Sequence, residues 1–172
     1  CACNLILDQL CKHFFNKPYD KDGKFGLQGK LNLTLFHFIL NMLKIQSESK
    51  KSLGTNDDDV MHIIEMAEKI PPHDILRTAC CAIAQAIVGK VSNAKVIVLA
   101  GGGSFNHCLI TELQQRFSGT VKTSRELGVP AEIREAACFA ILGALCQDRV
   151  SIIIPAITGG KHTCISGAWV YP

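Results

Sequence analysis

Several features that mark particular classes of protein are missing from this sequence. No apolar run approaches the roughly 20 residues that a membrane-spanning helix needs, and the first residues lack the basic stretch of a secretory signal. The lysines and arginines form no block with interleaved aromatic residues, although the formal net charge is +3. We therefore expect a cytosolic protein that binds neither membranes nor nucleic acid.

The sequence also lacks the paired C-x-x-C motifs of zinc sites. Its cysteines number nine, an odd count that favours neither a disulfide framework nor a zinc centre. Cys80, Cys138 and Cys146 fall in apolar helical patterns, where a thiol acts as a small hydrophobic group, so we expect buried, reduced cysteines. No histidine pairs with a cysteine or aspartate at ligand spacing, and no metal is assigned to the histidines.

The chain has 172 residues, of which 48% are hydrophobic, and this is enough for one domain with a sizeable core. Apolar residues recur at three- and four-residue steps in several stretches, which predicts amphipathic helices. The predicted helices are Asn4 to Phe15, Asn32 to Leu43, Met61 to Glu68, Asp74 to Val88, a stretch from Cys108 to Phe117, and Pro130 to Leu145.

Strands are predicted between these helices. The run Lys95 to Leu99 is apolar without alternation, which indicates a central strand buried on both faces, with the helices Asp74 to Val88 and Pro130 to Leu145 packed on it. Gly119 to Ser124 is expected to form a short strand, and Thr163 to Pro172 a last, partly exposed one. Alternating helices and strands predict an α/β fold.

Two polar segments are expected to be irregular. Asn16 to Lys30 contains one proline and three glycines and is predicted to form a long, turn-rich loop. Gln46 to Asp59 is polar and weakly patterned, which favours an exposed linker or mobile flap.

The stretch "VIVLAGGGSFNH", Val96 to His107, combines an apolar strand with three glycines. A strand that delivers glycines to the start of a helix presents backbone N–H groups where the helix's positive end favours an anion, which suits a nucleotide. The stretch is not a Walker A loop, and it lacks Gly-x-Gly-x-x-Gly spacing. On these residues alone, a tight strand-to-helix turn is the simpler explanation of the glycines.

Three segments, in order, resemble motifs of the anhydro-N-acetylmuramic acid kinases. They are "NKPYDKDGKFGLQGKLN", "VLAGGGSFN" and "LGVPAEIREAACFAILG". The resemblance extends to "NLILD" near the start, which is similar to the end of the family's Gly-Pro-Gly-Asn-x-x-x-Asp, and to "ITGG" near the end. It covers nearly the whole chain, with a weak match between Gln46 and Ile70.

This resemblance implies a member of the sugar kinase, actin and heat-shock ATPase superfamily. Residues 1–172 would form a ribonuclease-H-like (actin-like ATPase) C-terminal domain, incomplete at its N-terminal edge and without the N-terminal domain that is its partner. The family uses ATP and Mg²⁺ to open the 1,6-anhydro ring of anhydro-N-acetylmuramic acid, which yields the 6-phosphate during recycling of cell-wall fragments.

The resemblance also implies binding residues. The turn Gly101, Gly102 and Gly103 would approach the nucleotide, and Asn106 would bond the nucleotide or cap the next helix. Glu135 would hydrogen-bond the amino sugar, or would be an ordinary solvated glutamate on its helix.

Asp20 and Asp22 would hold Mg²⁺ through water, and the alternative is that they are turn-forming aspartates. Asp8 lies at a family aspartate position whose expected role is structural.

Two departures from the family pattern concern catalysis. Nothing resembles the family's Gly-Thr-Ser-x-Asp-Gly phosphate loop, and the family's catalytic aspartate would precede Cys1, so no catalytic residue is assigned and the chain alone is expected to be inactive. The sequence Cys1-Ala2-Cys3 also stands in place of Gly-Pro-Gly. Three interpretations of the chain stay open: half of a sugar kinase, a catalytically dead nucleotide-binding or interaction fragment, and a marginally folded remnant. A homodimer also stays open.

Overall fold

The computed structural model of the chain describes residues 3–48, 59–91, 93–155, 159 and 161–168. The described part is mixed α/β, mostly helical, with a small parallel sheet. Its helices are α1 (Cys3–Phe15), α2 (Lys24–Gln28), α3 (Leu33–Glu48), α4 (Asp59–Ala67), α5 (Pro72–Lys90), α6 (His107–Arg116) and α7 (Ala131–Gln147). The strands are β1 (Val96–Leu99) and β2 (Thr120–Thr123), and 3₁₀ turns occupy Lys21–Gly23, Gly102–Phe105 and Arg125–Leu127.

Helix α5 lies at the centre of the core and packs against α1, α2, α3 and α6. Its middle is buried almost all round, from Ile75 to Ala84, and many of these residues are alanine or cysteine. Small side chains let neighbouring helices approach α5 from several directions, and their large residues, such as Leu10 of α1 and Ile39 of α3, fill the remaining space.

The helices predicted from apolar spacing are confirmed, with ends that differ by a few residues. At the start of α3, the Asn32 side chain accepts a hydrogen bond from the Leu35 N–H at 3.0 Å, which is the geometry of an N-cap. The Asn32 N–H donates to the Thr78 hydroxyl at 3.0 Å, so the same residue also ties α3 to α5.

The prediction of a long loop from Asn16 to Lys30 was wrong, because this segment contains a 3₁₀ turn followed by α2. Asp20 organises it: one carboxylate oxygen accepts from the Phe25 N–H and the other from the Gly26 N–H, each at 2.9 Å. Asp22 and Gly23 have φ of +60° and +69°, which reverses the chain just before the helix. A helix of five residues carries too little periodicity to be recognised from its pattern.

The strands β1 and β2 pair in parallel, from Val96 opposite Thr120 to Leu99 opposite Thr123, and α6 forms the crossover between them. The prediction that β1 is central and fully buried was wrong. Val96 and Val98 are each 46% exposed, whereas Leu99 packs partly against the core. Within the described residues the sheet has two strands, and only one of its faces is covered by helices.

The environment of helix α7 is also more exposed than predicted. It forms where expected, but none of its residues is buried, and Phe139 is 66% exposed. It contacts the 3₁₀ turn Gly102–Phe105 rather than covering β1 as predicted. Cys138 is therefore exposed and Cys146 only half-buried, in contrast to the expectation of burial, whereas Cys80 is buried as predicted.

The remaining expectations concern the linker and the tail. Residues 46–48 continue α3, residues 49–58 lie outside the described part, and Asp59 begins α4. The predicted last strand is not formed by residues 163–168, which are irregular, and residues 169–172 lie outside the described part. None of the helices in the described ranges combines the length and apolarity required to cross a membrane.

Truncation of a core side chain should destabilise this fold far more than truncation of a similar side chain on α7. Leu10 is fully buried in α1, so Leu10→Ala should lower the free energy of unfolding by about 2–5 kcal/mol. Ile141 is exposed on α7, and Ile141→Ala should change it by less than about 0.5 kcal/mol. Urea unfolding followed by circular dichroism measures both, and equal effects would contradict this placement of the core.

The cysteines should differ sharply in their reactivity. Burial, together with the charges of Asp20 and Asp8, raises the pKa of Cys11 to about 11, and burial with a hydrogen bond to Glu112 raises the pKa of Cys81 to about 12. Since the thiolate is the reactive form, iodoacetamide at pH 8 should modify the exposed Cys138 and Cys164 well before these two. Peptide mass spectrometry over time, repeated in urea as a control, tests the order. Early labelling of Cys11 in the folded chain would be inconsistent with it.

Candidate functional site

A cleft of about 360 Å³ opens where three segments of the chain meet. They are the first turns of α1, the segment that leads into α2, and the 3₁₀ turn that joins β1 to α6. The lining residues are Asn4, Leu7, Asp8, Tyr19, Asp20, Lys21, Asp22, Gly102, Phe105 and Asn106. Four of the predicted site residues, Asp20, Asp22, Gly102 and Asn106, are thus brought together.

The three glycines of the turn have different structural reasons to be glycine. Gly101 has φ of +82°, and its carbonyl accepts a hydrogen bond from the Ser104 hydroxyl at 2.7 Å. A Cβ on Gly103 would lie 2.8 Å from the Asn4 side-chain oxygen, and one on Gly102 would lie 3.1 Å from the Asn4 nitrogen. Glycine at these two positions therefore lets the start of α1 approach the turn closely.

Asn106 caps α6. Its side-chain oxygen accepts a hydrogen bond from the Leu109 N–H at 3.0 Å, and the side chain is buried at the base of the cleft. Gly23 lies directly against Asn106 and Cys108, where a Cβ would clash. The capping role that the sequence left open is thus present, and a bond from Asn106 to a nucleotide stays a prediction.

Three carboxylates line the cleft, and their environments differ. Asp20 is buried and both of its oxygens accept backbone N–H groups, which is a structural role. Asp22 is more exposed and lies 3.6 Å from the Lys24 ammonium. Burial raises the pKa of the Asp8 carboxyl above its ordinary value. Among the described residues, no three His, Cys, Asp or Glu side chains cluster as metal ligands, so Mg²⁺ binding by Asp20 and Asp22 stays a prediction.

Glu135 does not line this cleft. It lies on the exposed helix α7, and it has no hydrogen bond or ion pair with the described residues. Glu135 is therefore not among the residues that the cleft brings together, and its proposed contact with a sugar stays a prediction.

Several residues that line the cleft were not singled out from the sequence, among them Asn4, Tyr19 and Phe105. In the sequence Asn4 is only the first residue of a predicted helix and of "NLILD", and the structure brings it against the glycine turn. Tyr19 and Phe105 are exposed aromatic residues at the cleft. An aromatic residue in a sequence is normally interpreted as part of the core, so their pattern gave no signal.

The chain matches known proteins along its whole length. The family model described as anhydro-N-acetylmuramic acid kinase matches residues 1–172. A kinase of that name from Hydrogenovibrio crunogenus is 30% identical over 176 residues, which cover 98% of this chain and 48% of the relative.

Proteins of the same name from Bacillus cereus and Bordetella pertussis are 26% and 28% identical, again over 98% of this chain and 48% and 47% of each relative. The chain spans about half the length of these relatives. Because the family model matches from the first residue to the last, the chain belongs to the anhydro-N-acetylmuramic acid kinase family.

Proposed function

We propose that this chain is the C-terminal, ribonuclease-H-like half of an ATP-dependent kinase. The kinase opens the 1,6-anhydro ring of anhydro-N-acetylmuramic acid and phosphorylates O6, in the cytoplasm, during recycling of cell-wall amino sugars. One observation supports this most directly: segments from three separate family-like motifs, "NLILD", "YDKDG" and "GGGSFN", line one cleft. Residues far apart in sequence that converge on one cavity are typical of a ligand site.

The glycine turn forms the nucleotide end of the proposed site. Gly102 lies on the surface of the cleft at the start of a 3₁₀ turn, and this turn leads into α6. Backbone N–H groups that lack a neighbouring Cβ suit a phosphate, and the volume of about 360 Å³ lies in the range for small-molecule sites. ATP, when bound, supplies the phosphoryl group for transfer, and this chain's residues orient it.

The charges in the cleft support a requirement for a divalent cation. Three aspartates and one lysine line it, so the cleft is acidic and would repel a polyphosphate on its own. Asp20 is occupied by the backbone, whereas Asp22 is paired only with an exposed lysine. We therefore assign Asp22 as the principal carboxylate for Mg²⁺, with contact through water, as this ion usually keeps part of its hydration shell.

The uncovered apolar surfaces support a second half of the kinase. Val96 and Val98 of β1 and Phe139 and Ile141 of α7 are exposed, and such surfaces mark interaction sites. The relatives are about twice as long as this chain. We propose that the other half covers these surfaces and supplies the phosphate loop and the catalytic aspartate, so that the chain alone is inactive. Glu135 would contact the sugar only in that assembly.

A second candidate is a nucleotide-binding or interaction fragment without catalysis. The feature that favours it is Cys1-Ala2-Cys3 in place of the family-like Gly-Pro-Gly, directly before Asn4 at the cleft. Turnover of the anhydro sugar after the N-terminal half of the Hydrogenovibrio relative is supplied would exclude this candidate. Nucleotide binding without turnover in the same assembly would favour it.

Gly102→Val should abolish nucleotide binding. A branched side chain there would enter the cleft, and a fluorescent ATP analogue, which we expect to bind weakly to the chain alone, should bind after addition of the relative's N-terminal half but not with this variant. Gly89→Val is the matched control, because a Cβ at Gly89 meets no atom within 4 Å and the residue lies outside the cleft. Thermal unfolding is recorded in parallel. Equal loss of folding and binding would identify Gly102 as a residue of the fold rather than of the site.

Asp22→Asn should weaken Mg²⁺-dependent nucleotide binding by about tenfold, or about 1.4 kcal/mol, while leaving the unfolding temperature nearly unchanged. Asparagine tolerates the positive φ at this position, so the substitution removes the charge without straining the turn. Asp148→Asn, on an exposed residue outside the cleft, is the control. Titration of Mg²⁺ at fixed analogue concentration measures the effect, and identical titrations for the two variants would refute the assignment.

A further inference from the structure

A second cavity, of about 490 Å³, shares no lining residue with the first cleft. Arg77 of α5 and Arg116 of α6 line it together with Lys30, which follows α2. Leu27 and Leu31 add exposed apolar surface to the same cavity. Leu27, Lys30 and Leu31 lie within the segment "NKPYDKDGKFGLQGKLN", but the proposed kinase site assigns no role to any of these five residues.

The two arginines are held in place by a buried glutamate. Glu112 is 2% exposed; one of its carboxylate oxygens accepts from Arg77 Nη2 and the other from Arg116 Nη1. Arg116 Nη1 also donates to the Glu112 backbone carbonyl at 3.2 Å. With both oxygens of Glu112 engaged, the two guanidinium groups are fixed before any ligand arrives, which lowers the entropic cost of binding.

The arginines keep further donors. A guanidinium has five N–H groups. In the described part of the chain, Nε and Nη2 of Arg116 and Nε of Arg77 have no hydrogen-bond acceptor, while Arg77 Nη1 donates to Cys108 Sγ at 3.7 Å. Both arginine side chains are about one-fifth exposed, so solvent reaches them from the cavity. The unused donors are therefore available to a ligand.

The net charge of the lining residues indicates the charge of the ligand that this cavity would bind. Three cations, Arg77, Arg116 and Lys30, and one anion, Glu112, line the cavity, which leaves two unbalanced positive charges among the lining residues. Asp74 accepts the Lys30 N–H at 2.7 Å but does not line the cavity. A phosphate monoester carries close to two negative charges at neutral pH, and a guanidinium matches its oxygen geometry. A carboxylate would balance only half of this charge, and a metal cation would be repelled.

We propose that this cavity binds a phosphate group, with the phosphate against Arg77, Arg116 and Lys30 and the organic part of a monoester against Leu27 and Leu31. The site is independent of the proposed kinase function. The other account of the same residues is that the Arg77–Glu112–Arg116 triad only fastens α5 to α6. The two accounts differ over Lys30, whose side chain is exposed and has no ion pair with the described residues, so that only ligand binding requires its charge.

The test is calorimetric titration of the chain with inorganic phosphate, and separately with glucose 6-phosphate, at low ionic strength. Lys30→Ala should weaken binding of both probes about tenfold without changing the unfolding temperature, whereas Lys12→Ala, on the exposed face of α1, should have no effect. Tighter binding of glucose 6-phosphate would identify a monoester, and tighter binding of inorganic phosphate would identify the free ion.

Two results would overturn the proposal. One is the absence of measurable phosphate binding, or binding that is equal in Lys30→Ala and Lys12→Ala. The other is loss of binding in Lys21→Ala but not in Lys30→Ala, because Lys21 lines the first cleft and that result would place the phosphate there.

Discussion

Burial of α5 on nearly all sides is the constraint on which the rest of the structure depends. Four helices pack around it, and three of them position the cleft: α1 carries Asn4 and Asp8, α2 is preceded by Asp20 and Asp22, and α6 is capped by Asn106. Because the buried part of α5 consists largely of small residues, these helices lie close to one another at their ends. The convergence of three sequence motifs on one cleft is thus a consequence of how tightly α5 can be surrounded.

The sequence was sufficient to predict most helices and both described strands, because local spacing and turn residues determine where they form. It was insufficient for their environment. The apolar run of β1 indicates burial on two faces, yet whether each face is covered depends on elements distant in the chain, and one face is open here. The segment before α3 was misjudged for another reason: a five-residue helix is stabilised by one carboxylate, that of Asp20, rather than by a periodic apolar face.

In the candidate site, too, some residues could be predicted from the sequence and others could not. The glycine turn and the aspartates were found because residues that suit turns and phosphates are recognisable one segment at a time, with the family resemblance giving their order. Tyr19 and Phe105 were missed, since exposure of an aromatic ring cannot be seen in a local pattern. The buried triad was missed because Arg77 and Glu112 are 35 positions apart and meet only after α5 and α6 have packed.

Helix α7 has a consequence for the dynamics of the chain. It has 17 residues and none of them is buried, so tertiary packing contributes little to its stability. Helices of this length are marginal in water without tertiary contacts. Its amide protons will therefore exchange with solvent through local opening, far faster than those of α5, whose exchange requires global unfolding. Glu135 lies on α7, so its position changes whenever this helix opens locally. Contact of α7 with another surface would reduce that opening.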